Sequence, residues 1–134
     1  AELAAAIMRA FKAVDKNLIV LAPVLSALVR EGQKAGVRVA AEVFADRAYM
    51  PDGQLVPRSR PDAMIHDAQD SLEHCLRMFE EGVIIDVEGG SLEVEAVSVC
   101  VHGDGPSALQ TAAHIKQGLT KAGFQMCSLP EMLA

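Results

Sequence analysis

Apolar residues recur at Leu3, Ile7, Phe11 and Val14, a spacing that predicts an amphipathic helix over residues 2–14. Asp15-Lys16-Asn17 interrupts it, and the run Leu18-Ile19-Val20-Leu21 suits a short buried strand. Pro23 is expected to open a second helix, with Val24, Leu25, Leu28 and Val29 on one face and Gly36 as its stop. Residues 37–44 read as the next strand. This β-α-β order predicts two parallel strands joined by a right-handed crossover.

Residues 45–66 break the pattern. ADRAYMPDGQLVPRSRPDAMIH holds three prolines and a Pro-Asp-Gly turn and keeps no period, so it reads as a long structured loop of the kind that carries function in compact α/β domains. Asp67 can cap a following helix whose stripe is Leu72, Cys75, Leu76 and Phe79, with Gly82 as its end. Residues 83–87 and 92–96 flank Glu88-Gly89-Gly90-Ser91 and predict a hairpin. Residues 97–101 form another buried strand. His102-Gly103-Asp104-Gly105-Pro106 turns it into a last helix, with Ala108, Ala112, Ile115 and Leu119 inward and Gly123 at its end. Strands 18–22, 38–44 and 97–101 are expected to be parallel neighbours or near neighbours in one sheet. Glu42 and His102 would then emerge on one edge. Three parallel strands cannot close a barrel, so an apolar flank is expected to be covered by another segment or by a second copy of the chain.

At 134 residues, 51% hydrophobic and 22% charged, the chain is long enough and apolar enough for one ordered domain. A net charge of −6 argues against nucleic acid or an anionic membrane as the main partner. It leaves room for a local basic site built from Arg47, Arg58 and Arg60. Cys75, Cys100 and Cys127 lack C-x-x-C spacing, which argues against a disulfide framework or zinc cage and makes the cytoplasm the expected compartment. Cys75 and Cys100 read as small core residues. No apolar run approaches the roughly 20 residues of a membrane helix. AELAAAIMRAF opens as a helix already in progress, as in a chain cut from something longer.

Two polar clusters lie just beyond strand ends, the edge where α/β folds place ligand sites. Glu42, Asp46, Arg47 and Tyr49 run into Arg58, Ser59 and Arg60. Carboxylates here suit proton transfer or a metal, and an arginine fork suits a carboxylate or phosphate. The plainer alternative is a surface ion pair between Asp46 and Arg47. In the second cluster, residues 100–106, His102 suits proton transfer and Asp104 suits orientation of His102 or cation binding. The amides of the following turn suit an anion. Its plainer alternative is a tight β-to-α turn. His66, His74 and His114 read as loop or helix-surface residues.

EVFADRAYMPDGQLVPRSRPDAMIHD, followed by CVHGDGPSAL, resembles the LamB/YcsF family over most of the chain. The resemblance implies the carboxyl-terminal part (here residues 1–134) of a single α/β domain, a seven-stranded TIM-like β/α barrel of the glycoside hydrolase/deacetylase type. In this chain that means parallel strands with a small hairpin. It further implies an ATP-dependent 5-oxoprolinase that opens 5-oxo-L-proline to L-glutamate, with ATP and magnesium, together with B and C subunits. The family's D-L-N-A-D-L-G-E, C-G-F-H-A-G-D and K-P-H-G segments are absent from this sequence, so the chain alone is expected to be inactive. By matching position, the implied catalytic residues are Glu42, Asp46, His102 and Asp104. Arg47, Tyr49, Arg58 and Ser59 are implied to bind substrate or phosphate, and a metal requirement is left open. Two alternatives remain at this level: a non-catalytic assembly or regulatory fragment of the same fold, or a related lactam or amide hydrolase.

Overall fold

The computed structural model describes residues 1–133. Helix α1 (Glu2–Val14) leads into strand β1 (Ile19–Pro23), helix α2 (Ala27–Ala35) and strand β2 (Arg38–Phe44). After the long loop come α3 (Ala68–Leu76), which widens into a π-helical turn (Arg77–Glu81), then β3 (Val83–Ile85), β4 (Ser91–Glu93) and β5 (Ser98–Cys100). Helix α4 (Ala108–Lys121) and a short α5 (Leu129–Met132) complete the chain. β1, β2 and β5 form one parallel sheet in that order, while β3 and β4 pair separately as an antiparallel hairpin. The expected α/β architecture is present as an open three-stranded sheet.

The helices pack on one face of the sheet. Val39 meets Gly32 of α2, and Val43 packs in a core with Leu72, Cys75, Ile115 and Leu119 of α3 and α4. Strand alternation therefore sends Glu42 and Phe44 to the opposite face, where in-register Ser98 and Cys100 join them. Leu21, opposite Ala40, lies on that face and is 46% exposed.

Several local expectations shift. The helix at 2–14 forms, but its buried positions are Ala4 and Met8, while Leu3 (76% exposed) and Val14 (81%) face outward. The small Ala4 and the flexible Met8 suit close approach to α2, and Met8 lies against Gly32. Pro23 ends β1 instead of opening α2, which begins after Ser26, whose hydroxyl accepts from the Val29 amide at 3.3 Å. Leu25 between them takes a positive φ of 61°, which is strained backbone for a branched residue. The hairpin strands are three residues each because Asp86 turns the chain early: its carboxylate accepts from the Glu88 and Gly90 amides at 2.7 and 3.1 Å. His74, expected on a helix surface, is buried against Tyr49. Arg38 ties the chain's end to the sheet through the Leu133 carbonyl at 2.9 Å. No helix among the described residues is long and apolar enough to cross a membrane.

Helix α4 crosses α3 closely because Gly118 presents no side chain to Leu72, and a methyl group there would overlap the Leu72 side chain. Gly118→Ala gains up to about 1 kcal/mol of helix propensity but forces overpacking that costs about 1–3 kcal/mol. The substitution is expected to lower stability by about 1 kcal/mol, read as a reduced urea midpoint. An increased midpoint would show that Leu72 has room to move.

Candidate functional site

The site follows from register. β2 and β5 pair with Glu42 opposite Ser98 and Phe44 opposite Cys100. Two residues further on, the same offset of 56 positions sets Asp46 beside His102. These positions share a parity, so Glu42, Phe44, Asp46 and His102 lie along one side of the carboxyl edge.

The Asp46 carboxylate is almost fully enclosed. Oδ1 lies 2.7 Å and Oδ2 3.0 Å from His102 Nδ1, and Oδ2 also accepts from the His102 amide at 3.2 Å. In the neutral imidazole this favours the proton on Nδ1 and leaves the Nε2 lone pair available. Phe44 stacks on the ring at 5.9 Å between centroids, 20° from parallel, and Nε2 makes no hydrogen bond among the described residues. A carboxylate that fixes the tautomer and orientation of an imidazole with an open nitrogen is equipped for base catalysis. Glu42, half-buried on the same side, has its carboxyl pushed above the usual range by burial, against the Ser98 hydroxyl 3.4 Å away and the nearby His102. One edge thus offers an oriented imidazole and a carboxyl biased toward its protonated form.

The loop that carries Asp46 is folded rigidly, and the side chain after it is consumed in doing so. Arg47 is 7% exposed and forms no ion pair with Asp46; its Nη2 donates to the Val56 carbonyl at 2.7 Å and its Nε to the Ala63 carbonyl at 3.4 Å. Both carbonyls lie across the loop, where isolated bridges pair Arg47 with Met64 and Tyr49 with Leu55. Tyr49 is 2% exposed, its hydroxyl accepts from the Phe44 amide at 2.9 Å, and burial pushes its phenol up to about 12. These two sequence candidates face the interior of the loop. Arg58 and Ser59 stay on the surface: Arg58 Nη1 meets the exposed Asp104 carboxylate at 3.1 Å and holds that carboxyl below its usual range. Arg60 pairs with Asp62. Among the described residues, no three or more His, Cys, Asp or Glu side chains gather as a metal cage.

A cavity of about 320 Å³ opens beside the pair, between Met64-Ile65-His66 and the start of α4, with Asp46, His102, Asp104 and Thr111 in its wall. His66 reads in the sequence as a plain loop residue, and neither Thr111 nor Ser98 stands out there. Ser98 was detectable, since it sits four positions before His102 as Glu42 sits four before Asp46. Thr111 carried no signal, because one threonine in an amphipathic helix looks like any other.

Removing the Arg47 side chain strands the buried Val56 carbonyl, at about 1–3 kcal/mol for an unsatisfied group, while the Ala63 carbonyl keeps the Ala48 amide at 3.1 Å. Arg47→Ala is therefore expected to lower stability by about 1–3 kcal/mol, measured by denaturant unfolding. A change under about 0.5 kcal/mol would show that the loop does not depend on it. For Glu42 the folded form binds a proton more readily than the unfolded chain does, so its contribution falls as pH rises from the unfolded carboxyl value through the raised folded one. Glu42→Gln should remove that decline and be more stable than wild type above this window, with little difference below it. Unfolding free energies measured across the acid range test the sign.

Comparison with known proteins adds to this geometry. The LamB/YcsF family model matches residues 1–134. The chain is 47% identical over 132 residues to the A subunit of 5-oxoprolinase from an Azoarcus species, covering 98% of the chain and 52% of that protein. It is 39% identical over 132 residues to the corresponding 5-oxoprolinase component of Pyrococcus furiosus, which carries the same name, again covering 98% and 52%. The crystal structure of a lactam utilization protein from Thermus thermophilus superposes with a TM-score of 0.79 at 38% identity, over 90% of this chain and 47% of that one. The chain spans about half the length of these relatives. With its whole length matched by the family model, the chain belongs to the LamB/YcsF family.

Proposed function

We propose that this chain supplies half of a 5-oxoprolinase A subunit, which opens 5-oxo-L-proline to L-glutamate at the expense of ATP together with B and C subunits. The observation that carries the proposal is the Asp46–His102 pair with Glu42 on the same strand edge, in a chain 39–47% identical to two 5-oxoprolinase A subunits over 132 residues. The three parallel strands would be part of a seven-stranded barrel. The remainder of the A subunit would pair with the open edges of β1 and β5 and cover the exposed faces of Leu3, Val14 and Leu21.

A lactam resists water because amide resonance makes its carbonyl a poor electrophile and its nitrogen a poor leaving group. Transfer of the ATP γ-phosphoryl group to the lactam oxygen, with loss of ADP, gives a phosphorylated imidate. His102 Nε2 then takes a proton from water as the oxygen adds to the ring carbon, and Asp46 stabilises the imidazolium. The carbon–nitrogen bond breaks as Glu42 delivers a proton to the departing nitrogen. That leaves an acyl phosphate, which a second water converts to glutamate and phosphate. Arg58, released from the exposed Asp104, holds the substrate carboxylate or the phosphoryl group beside Ser59. Arg47 and Tyr49 act as scaffold. Magnesium enters this scheme with the nucleotide substrate, whose phosphates it accompanies.

The test is the whole A subunit reconstituted with B and C. His102→Ala and Asp46→Asn are each expected to lower turnover by about 10²–10⁴-fold with little change in KM, as loss of a general base does. Arg58→Ala should raise KM for 5-oxoproline or ATP, and the 134-residue chain alone should turn over neither. Circular dichroism must show the variants folded. Wild-type turnover in His102→Ala would remove the proposed chemistry from this edge.

A further inference from the structure

The Asp46 carboxylate holds the His102 ring at one corner only. Its two oxygens lie at similar distances from Nδ1, 2.7 and 3.0 Å, and no other hydrogen bond from a described residue reaches the ring. A ring anchored in this way can rock between the two acceptors and tilt about them. Nε2, across the ring from the anchor, is displaced by such a tilt. His102 also lines the 320 Å³ cavity, so part of its surface meets no packed neighbour. The carboxylate fixes which nitrogen is held, and something else must fix the plane of the ring.

Phe44 supplies that restraint. Its ring lies 5.9 Å from the imidazole between centroids and 20° from parallel, an offset stack of the kind aromatic pairs prefer. Phe44 is itself held firmly as the last residue of β2, opposite Cys100. Its amide donates to the buried Tyr49 hydroxyl at 2.9 Å, and the next amide, that of Ala45, donates to the Cys100 carbonyl at 3.0 Å. The backbone beneath the phenyl ring is thus tied both to the loop and to the strand that leads into His102. The stack has a second effect. An aromatic face attracts a cation within about 6 Å of its centre, so the contact becomes more favourable when the imidazole gains a proton. An interaction that strengthens as charge develops lowers a barrier, whereas one of equal strength before and after changes only binding.

We propose that Phe44 is a positioning residue for the reaction: its flat face fixes the plane of the His102 ring, and with it the direction of Nε2, and favours the imidazolium that forms when Nε2 takes its proton. Asp46 and Phe44 then divide the task, one holding an edge of the ring and the other a face. The inference rests on the proposed role of His102 as base for its effect on turnover; the restraint of the ring rests on the stack and on the bonds that hold Phe44.

The experiment compares Phe44→Leu and Phe44→Met, which keep apolar bulk and lose the flat face, with Phe44→Tyr, which keeps the face. All three are made in the whole A subunit and checked for folding by circular dichroism. With the B and C subunits, Phe44→Leu and Phe44→Met are expected to lower kcat about tenfold with KM for 5-oxoproline and ATP changed by less than about twofold, and Phe44→Tyr to recover most of that loss. Nitrogen chemical shifts of the His102 ring, read on the A subunit alone, should show the Nδ1-protonated tautomer in wild type and Phe44→Tyr. In Phe44→Leu and Phe44→Met they should show a larger share of the other tautomer. Unchanged kcat in Phe44→Leu, a loss in Phe44→Tyr as large as in Phe44→Leu, or ring shifts that do not respond to loss of the aromatic face would each overturn the proposal. The ring shifts are read without turnover, so they decide whether Phe44 holds the imidazole separately from the coupled assay of His102→Ala, which decides whether that imidazole is the base.

Discussion

The parallel pairing of β2 with β5 is the constraint on which the site depends. With Phe44 opposite Cys100, the residues two steps on must approach, and Asp46 and His102 meet within 2.7 Å. A slip of one residue would send one of the two to the wrong face, and a slip of two would set Asp46 against a neighbour of His102 with no imidazole to hold. The buried helix side of the same strands, with Val43 and Val99 against α3 and α4, opposes the first kind of slip. Core packing and the geometry of the pair are therefore specified by one register.

Arginine is used in two ways within twelve residues. Arg47 sits inside the loop on two carbonyls, where a planar guanidinium reaches Val56 and Ala63 together and reinforces the backbone bonds that both make to Ala48. Arg58 sits outside on one exposed carboxylate, a contact worth little in water and easily exchanged. The first therefore suits architecture and the second suits ligand exchange. Tyr49 belongs with Arg47, because its hydroxyl receives the amide at the end of β2 and its ring fills the space beside the buried His74.

Much of this was legible in the residues. The apolar runs at 18–21, 37–44 and 97–101 located the three strands, and their order predicted the parallel sheet seen here. Polar residues just past two of those runs located the edge that holds Asp46 and His102. Periodicity failed where two stripes compete: in α1 the larger residues Leu3 and Val14 define the stronger apolar pattern, yet the smaller Ala4 and Met8 meet α2. Residue type failed for His74 and Arg47, because a polar side chain carries no mark of whether burial will be met by a partner. Pro23 misled for a different reason: it suits the end of a strand at a sheet edge as well as the first turn of a helix.

The loop staple also has a consequence for the order in which the molecule assembles. Arg47 reaches Val56 across 9 residues of chain, whereas Asp46 reaches His102 across 56. Closing the longer loop costs roughly 1.5 kcal/mol more in chain entropy, and it must also wait for α3, the hairpin and β5 to take their places. The loop can thus reach its shape while β5 is still unpaired, presenting a fixed Asp46 to a strand that arrives late. On a ribosome, where residue 66 emerges well before residue 102, half of the site would be waiting when the histidine appears.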